Sequence, residues 1–475
     1  MSAGKAGKLL TQRRFLPLFT LFQTGTFNDN ALKSTLIALV LVSPPVIPAL
    51  KSINVAEAAL LFTGPFLILA AIAGQIADKY DRGLILKTIK RVEFGIMVLA
   101  SIGFLIQSGF ILCLALFCMG AQSAFFSPTK NAVLPQWLKD DELITGNGLM
   151  SGFQFFTILL GTVFGTLAYQ ALPSNGLFTA PRVISATLMV LALIGWLASE
   201  RVPLAPAPKP DLIIDYNPLS SIWKVLKFSW ADKPVFRPML GIAWFYGFSA
   251  IMITALPDYV YNVMQYDLFV LSFIQACTTI GILIGSLLCI VLAKSKNSMG
   301  LVVIGIIGIT LFSLDLYLGN HNPTHKAPAS LGVFLSAANT PRFMIDITGA
   351  ALCAGLFVIP LQAMAQRRSN PQQRARLMAA GAVMLNLSVN TFTIILAILS
   401  RGEIRTPRFI NSLPDFIANI FHFIIATLNS LLDYLLDIFN VTPNFPFLMI
   451  SVISSIVAIY SIWRWFQMRK TNAAT

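Results

Sequence analysis

The stretch Phe27-Asn-Asp-Asn-Ala-Leu-Lys33 places a carboxylate and an ammonium inside a long apolar run that covers 15–43. Asp29 and Lys33 are four residues apart, so on a helix they share one face, with the acid on the N-terminal side as that pairing prefers. Ionisable groups at the centre of a bilayer are costly, and they are held by partners or turned towards protein or water. Two readings stand: a structural ion pair locking the first helix to its neighbours, or a polar site in a central cavity to which Asn30 also belongs. Lys130 and Asn131 follow Ala124-Phe-Phe-Ser-Pro-Thr, and Pro128 and Pro135 are expected to interrupt or end that helix. Lys130 at such a break is either functional or a lysine reaching for the interface. Further on come Gln362 and then Asn386, Asn390 and Thr393, the last three at helical spacing. Such a stripe faces protein or a water-filled cavity, and interhelical hydrogen bonding is its plain reading.

These residue types pair ions and form hydrogen bonds. The chain shows no nucleophile-base triad, no phosphate-cradling glycine loop and no acyltransferase His-x-x-x-x-Asp pair, so neither enzymatic catalysis nor a cofactor is expected. His321 and His325 are four apart, but Pro323 between them argues against a helical metal site. The five cysteines all fall in apolar runs without metal-like spacing and read as buried small hydrophobes.

The elements that must hold these groups are membrane helices. The 475 residues are 56% hydrophobic and only 11% charged, with a mean hydropathy of +0.74, whereas a soluble domain carries about a quarter charged residues. Apolar runs long enough to span recur at 15–43, 56–78, 84–107, 109–128, 147–171, 180–199, 236–262, 268–293, 299–318, 343–366, 376–400 and 444–467. The net charge of +14 is spread unevenly over that topology. Lys51, Arg182, Lys326, Arg342, Arg401, Arg405 and Arg408 fall on one side, Lys33 and Lys130 in the membrane, and the rest on the other. Basic residues favour the cytoplasm, so both termini are expected there and no nucleic-acid partner is implied.

The expected organisation is a basic tail (1–14), a first six-helix bundle (15–200), a linker (201–235) and a second bundle (236–467) with a final tail (468–475). The linker contains a Pro-rich run at 206–210 and an amphipathic helix over 220–230. Segment 401–443 is apolar, yet its polar residues gather on one helical face, and a thirteenth crossing would put the basic tail outside. It is therefore expected to be an amphipathic helix or hairpin lying on the outer surface.

The loop between the second and third spans, Gly74-Gln-Ile-Ala-Asp78-Lys79-Tyr-Asp81-Arg82-Gly83, resembles the Gly-x-x-x-Asp-(Arg/Lys)-x-Gly signature of the major facilitator superfamily. Gly74, Asp78 and Lys79 match; Asp81 stands where the second glycine belongs, and Gly83 comes two residues late. Three further stretches, in order, resemble the lysophospholipid transporters of that superfamily, including the membrane domain of transporter–acyltransferase fusions. They are Thr26 to Lys33, Ala124 to Gln136, and Glu142-Leu-Ile-Thr-Gly-Asn147-Gly-Leu149 leading into Ile158-Leu-Leu-Gly161.

The resemblance implies an all-α, twelve-helix facilitator fold working by alternating access, with Gly74, Asp78, Lys79 and Arg82 as a conformational gate. It further implies movement of lysophospholipid, typically lysophosphatidylethanolamine, from the outer to the inner leaflet of a bacterial inner membrane. Membrane lipids are then the setting, and a cytoplasmic acyltransferase or acyl-activating ligase is the partner that re-acylates the product. A zwitterionic headgroup needs an anion for its ammonium and cations for its phosphate. Asp29 with Lys33 and Lys130 offers both, with Asn30, Asn131, Gln362, Asn386 and Asn390 as polar lining. The acyl chain is expected to leave through a seam between the fifth and eighth helices, lined by Gly161, Gly165, Gly281 and Gly285. A proton-coupled exporter of drugs or small metabolites is the rival on the same fold, favoured by the membrane acids Asp258 and Asp315. A non-transporting adaptor is the third possibility.

Overall fold

The computed structural model describes residues 9–42, 47, 50, 53–138, 140–172, 176, 178–292, 299–319, 328–369, 374–401, 426, 430 and 442–473. The first half contains α1 (Leu16–Val42), α2 (Val55–Lys79), α3 (Arg82–Leu105), α4 (Gly109–Trp137), α5 (Asp140–Ala171) and α6 (Ala180–Ser199). A linker helix α7 (Pro218–Ala231) leads into α8 (Lys233–Asp258), α9 (Leu268–Leu292), α10 (Met299–Leu318), the short α11 (Leu331–Ser336), α12 (Thr340–Arg368), α13 (Arg374–Arg401) and α14 (Phe445–Ala473). Among the described residues, ten helices are long and apolar enough to cross a membrane. The two other long ones, α1 and α3, each carry charges mid-helix.

Local chemistry sets several helix starts. Asn54 and Glu57 form a reciprocal capping box at α2, and Asp81 accepts the Leu84 N–H at 3.0 Å to open α3. Large apolar side chains such as Phe110, Leu197, Ile304 and Ile459 remain exposed on outward faces, as lipid contact requires. On α7, Trp223 and Trp230 lie seven residues apart and both are exposed, a spacing suited to the headgroup layer.

Within the first bundle α1 packs on α5 and α6, α2 on α4, and α3 on α4 and α6; in the second, α8 packs on α12 and α13, α9 on α12, and α10 on α12 and α14. The bundles meet along α2 with α13 and along α5 with α9. At the end away from the linker they share one buried apolar core, in which Leu36 and Leu39 of α1 join Leu271 and Ile274 of α9 and Phe343 of α12. At the linker end each bundle keeps a core of its own, around Phe15 and Trp137 in one and Val235 and Leu377 in the other. Among the described residues, the halves thus share a buried apolar core at the end away from the linker, whereas the cores at the linker end are separate.

Three expectations need correction. First, α4 does not break at Pro128 or Pro135; it runs on to Trp137. Proline is tolerated in membrane helices where nearby groups re-satisfy the backbone, and the Thr129 hydroxyl donates to the Phe125 carbonyl at 2.9 Å. Second, Gly161 and Gly165 seat α5 against the backbone of α1 at Phe27 and Ala31, while Gly281 and Gly285 seat α9 against α12 at Thr348 and Leu352. These glycines build each bundle and do not line the seam between the bundles. Third, Lys90, counted with the basic residues of the cytoplasmic side, lies two turns into α3 and is fully buried. Nearly all of 401–443, together with His321 and His325, lies outside the described residues.

Candidate functional site

Lys90 and Glu93 sit three apart on α3, with side chains 0% and 1% exposed, and their charged atoms are 2.6 Å apart. Removing two charges from water is expensive, so such a pair survives only when its remaining valences are also met. Space for it comes from α1 and α6: a Cβ on Gly25 would collide with the Lys90 ammonium, and one on Gly195 would press on the Thr24 hydroxyl. Glu93 accepts a second hydrogen bond from Gln122 of α4 (3.3 Å) and a long one from Asn28 of α1 (3.5 Å). Asn28 also donates to the Leu188 carbonyl of α6 at 3.3 Å, tying α1, α3, α4 and α6 at one point.

Asp29 joins this network through Ser123 of α4, whose hydroxyl lies 2.9 and 3.0 Å from the two carboxylate oxygens and 3.1 Å from Gln122 Oε1. A serine has one proton to give, so Asp29 and Gln122 compete for it. The expected pairing of Asp29 with Lys33 is not formed. Lys33 instead donates to Asn30 Oδ1 at 3.2 Å and stands 5.6 Å from the centre of the Phe62 ring, while Asn30 in turn donates to the Thr26 carbonyl at 2.8 Å. Asp29 remains within electrostatic reach of Lys33 and Lys130. Lys130 lies over the Phe22 ring at 4.1 Å and near Phe126 at 5.8 Å, and Lys90 approaches the other ring, Phe126, at 5.0 Å. The Phe22–Phe126 stack (centroids 6.1 Å apart) is therefore a cation–π platform between two lysines.

The remaining expected site residues are more scattered. Asn131 is on α4, with its side chain outside the described set. Gln362 is half-buried on α12. Asn386 is half-buried on α13 and donates to its own helix at Ala382 (3.0 Å). Asn390 is buried, and its amide reaches across the bundles to the Thr63 carbonyl of α2 at 3.2 Å. Thr63 follows Phe62, the ring beneath Lys33, so Asn390 borders the Lys33 end of the network.

The residues expected to form a gate lie at the end of α2 and the start of α3, against the linker. Arg82 pairs with Asp78 at 3.0 Å and donates to the Ala77 carbonyl at 2.9 Å. Asp81 accepts the Ala205 N–H at 3.0 Å, the Arg82 N–H reaches the Ala205 carbonyl at 2.9 Å, and the Lys209 N–H reaches the Asp78 carbonyl at 3.0 Å. Lys79 rests near the Tyr80 ring (5.9 Å). Gly74 has open space around it, whereas a Cβ on Gly83 would overlap the Pro203 carbonyl. The displaced glycine is thus the one the linker needs.

Asn28, Glu93, Gln122 and Ser123 went unremarked as site residues in the sequence, and Lys90 was read only as one of the basic residues after the loop between the second and third spans. The signal for the ion pair was there, as opposite charges three apart inside an apolar run, but counting basic residues towards topology absorbed Lys90. What the arrangement offers chemically is an acid held by one hydroxyl, plus two ammonium groups, Lys33 and Lys130, without a carboxylate within pairing distance among the described residues. The three groups thus set charges of both signs close together inside the first bundle.

The sequence profile described as Major Facilitator Superfamily matches residues 31–393. The chain is 24% identical over 357 residues to the lysophospholipid transporter LplT of Enterobacter sp. (strain 638), covering 72% of this chain and 78% of that protein. To the protein of the same name from Serratia proteamaculans it is 22% identical, covering 72% and 77%. Among solved structures it superposes on a bacterial homolog of the human lysosomal transporter Spinster (TM-score 0.59, 15% identity, 96% of this chain and 98% of that one). It superposes also on a D-xylose-proton symporter (TM-score 0.61, 12% identity, 94% and 96%).

Proposed function

We propose, for a chain that belongs to the Major Facilitator Superfamily and is a multi-pass membrane transporter and not an enzyme, that the cargo is a lysophospholipid. Its zwitterionic headgroup engages the first-bundle network, with the ammonium on Asp29 and the phosphate on Lys33 and Lys130, while Asn30 orients Lys33 and Asn390 borders the site from the second bundle. The direction is from the outer to the inner leaflet of a bacterial inner membrane by alternating access, for re-acylation by a separate cytoplasmic enzyme.

The observation that carries this reading is the pair of ammonium groups, each without a carboxylate within pairing distance among the described residues, around an acid held by a single hydroxyl, in a chain similar to lysophospholipid transporters. The Lys90–Glu93 pair is neutral and enclosed, so it serves as the rigid back wall and leaves Asp29, Lys33 and Lys130 to the cargo. Sealing at the end away from the linker suits a state open at the other end. The acids that favoured a proton-coupled exporter are engaged otherwise: Asp315 receives Arg342 at 2.9 Å and Asp258 receives Asn262 at 2.8 Å.

The test is purified protein in liposomes with headgroup-labelled lysophosphatidylethanolamine offered on one side, with and without ion gradients. Asp29→Asn and Lys130→Ala are expected to abolish movement while size-exclusion behaviour stays parental. Movement at the parental rate in both variants places the headgroup elsewhere.

A further inference from the structure

At the end away from the linker, apolar packing between the bundles is supplemented by side-chain hydrogen bonds. Gln170 stands one residue before the end of α5. Its amide donates to Asp267 Oδ2 at 3.2 Å, and its carbonyl oxygen accepts the Leu268 N–H at 3.0 Å. Asp267 and Leu268 open α9, in the other bundle. That corner is itself fixed: Asp267 Oδ1 accepts the Val270 N–H at 3.0 Å, and the Asp267 N–H reaches the Ala329 carbonyl at 3.0 Å. Both ends of one amide side chain from the first bundle therefore grip a rigid turn of the second.

The two helices that meet there also carry polar atoms that the closed arrangement leaves unsatisfied. Tyr169 Oη on α5 and Ser272 Oγ and Gln275 Oε1 on α9 are buried and have no hydrogen-bond partner among the described residues. Tyr169 packs against the same shared core that contains Leu268, Leu271 and Ile274 of α9. A buried polar atom without a partner has lost its water and received nothing in exchange, and that cost disappears when helices part and water returns. Two opposed effects thus act where α5 meets α9. The bonds of Gln170 favour closure, and the three unpaired atoms favour opening. Packed interfaces of this kind have discrete arrangements and do not deform continuously.

We propose that the meeting of α5 with α9 is the gate at the end away from the linker, with Gln170 as its latch on Asp267 and Leu268, and with Tyr169, Ser272 and Gln275 as the groups that favour release. Gln170 is a positioning residue. Its role rests on the alternating access proposed above and not on the identity of the cargo.

The experiment is double electron–electron resonance on the full chain in lipid nanodiscs, with the five native cysteines replaced by alanine. Spin labels go at Phe178 and Val333, exposed positions at this end of the first and second bundles. The parental protein should show mainly the short distance. Gln170→Ala should raise the ratio of long to short distances by about fivefold. Tyr169→Phe, which keeps the ring and removes the hydroxyl, should bring that ratio back down when added to Gln170→Ala. Should Gln170→Ala fail to fold, Gln170→Glu sets a carboxylate against Asp267 and should open the gate, and adding Asp267→Asn should close it again. A ratio unchanged by the Gln170 variants overturns the latch. A ratio that Tyr169→Phe leaves unchanged or raises overturns the opposing role of the buried polar atoms. The distances are read without cargo, so their outcome is separate from that of the lysophospholipid assay.

Discussion

Where the first and last helices of each half approach one another, the two bundles part company. In the first, α1 and α6 close over Gly25 and Gly195 and clasp the Lys90–Glu93 pair with Asn28 bonded to Leu188. In the second, α14 stands off from α8 and leaves a chamber of about 630 Å³ walled by apolar side chains such as Trp244, Phe357 and Val457. The difference follows from what each interior contains. A buried charge network is worse than an apolar core unless nearly every valence is met, so its enclosing helices must be brought close by small residues. An apolar wall makes no such demand, and a hydrocarbon chain can complete it.

Breaking the ion pair should have the largest effect. Lys90→Met, leaving Glu93 buried alone, should cost about 3–5 kcal/mol, read as a fall in the detergent melting temperature. Adding Glu93→Leu should restore most of it. A single variant no less stable than the double would mean that the first bundle does not depend on charge enclosure. Packing changes should separate the halves next. Gly195→Val presses on Thr24 and should cost about 1–3 kcal/mol, whereas Val457→Phe grows into the chamber and should stay within about 0.5 kcal/mol of parental. Equal losses at the two positions would erase the distinction drawn here.

The smallest effect concerns the linker. A hydrogen bond from Lys224, then the Asn217 backbone N–H, pulls the Asp215 carboxyl from its ordinary 3.8 down to about 2. A depressed acid stabilises the folded state above its unfolded value and loses that contribution as pH falls through the folded one. Emission from Trp223 and Trp230 on α7 should therefore hold steady on acidification to about pH 4 and change towards pH 2. In Lys224→Ala the change should begin at higher pH; an unshifted profile would dissociate α7 from this contact.

The helices were legible because each is an apolar run whose length the bilayer dictates; α1, α6 and α10 lie within a residue of the expected ranges. The charge at Asp29 was legible for the same reason, as an exception in such a run. Its partner was not. Spacing of four pointed to Lys33, but the choice between Lys33 and Ser123 depends on how close α4 comes to α1, which no local pattern encodes. Lys90 was hidden by a rule about loops, since its burial depends on glycines far away in sequence, Gly25 and Gly195. The chamber of the second bundle is similarly non-local, with Arg237, Arg368 and Arg464 lining it from three helices.

The segment joining the halves is long in sequence and short in freedom. Its first part is stitched to the first bundle at Ala205, Lys209 and Asp215, the last through Gln75 at 2.7 Å, and α7 then lies against both α2 and α13. Only Asp232 separates α7 from α8. The slack that a long tether promises has been taken up, and the two halves share a wrist about one residue wide. Any change of posture at this end turns about that wrist or drags α13 across α7.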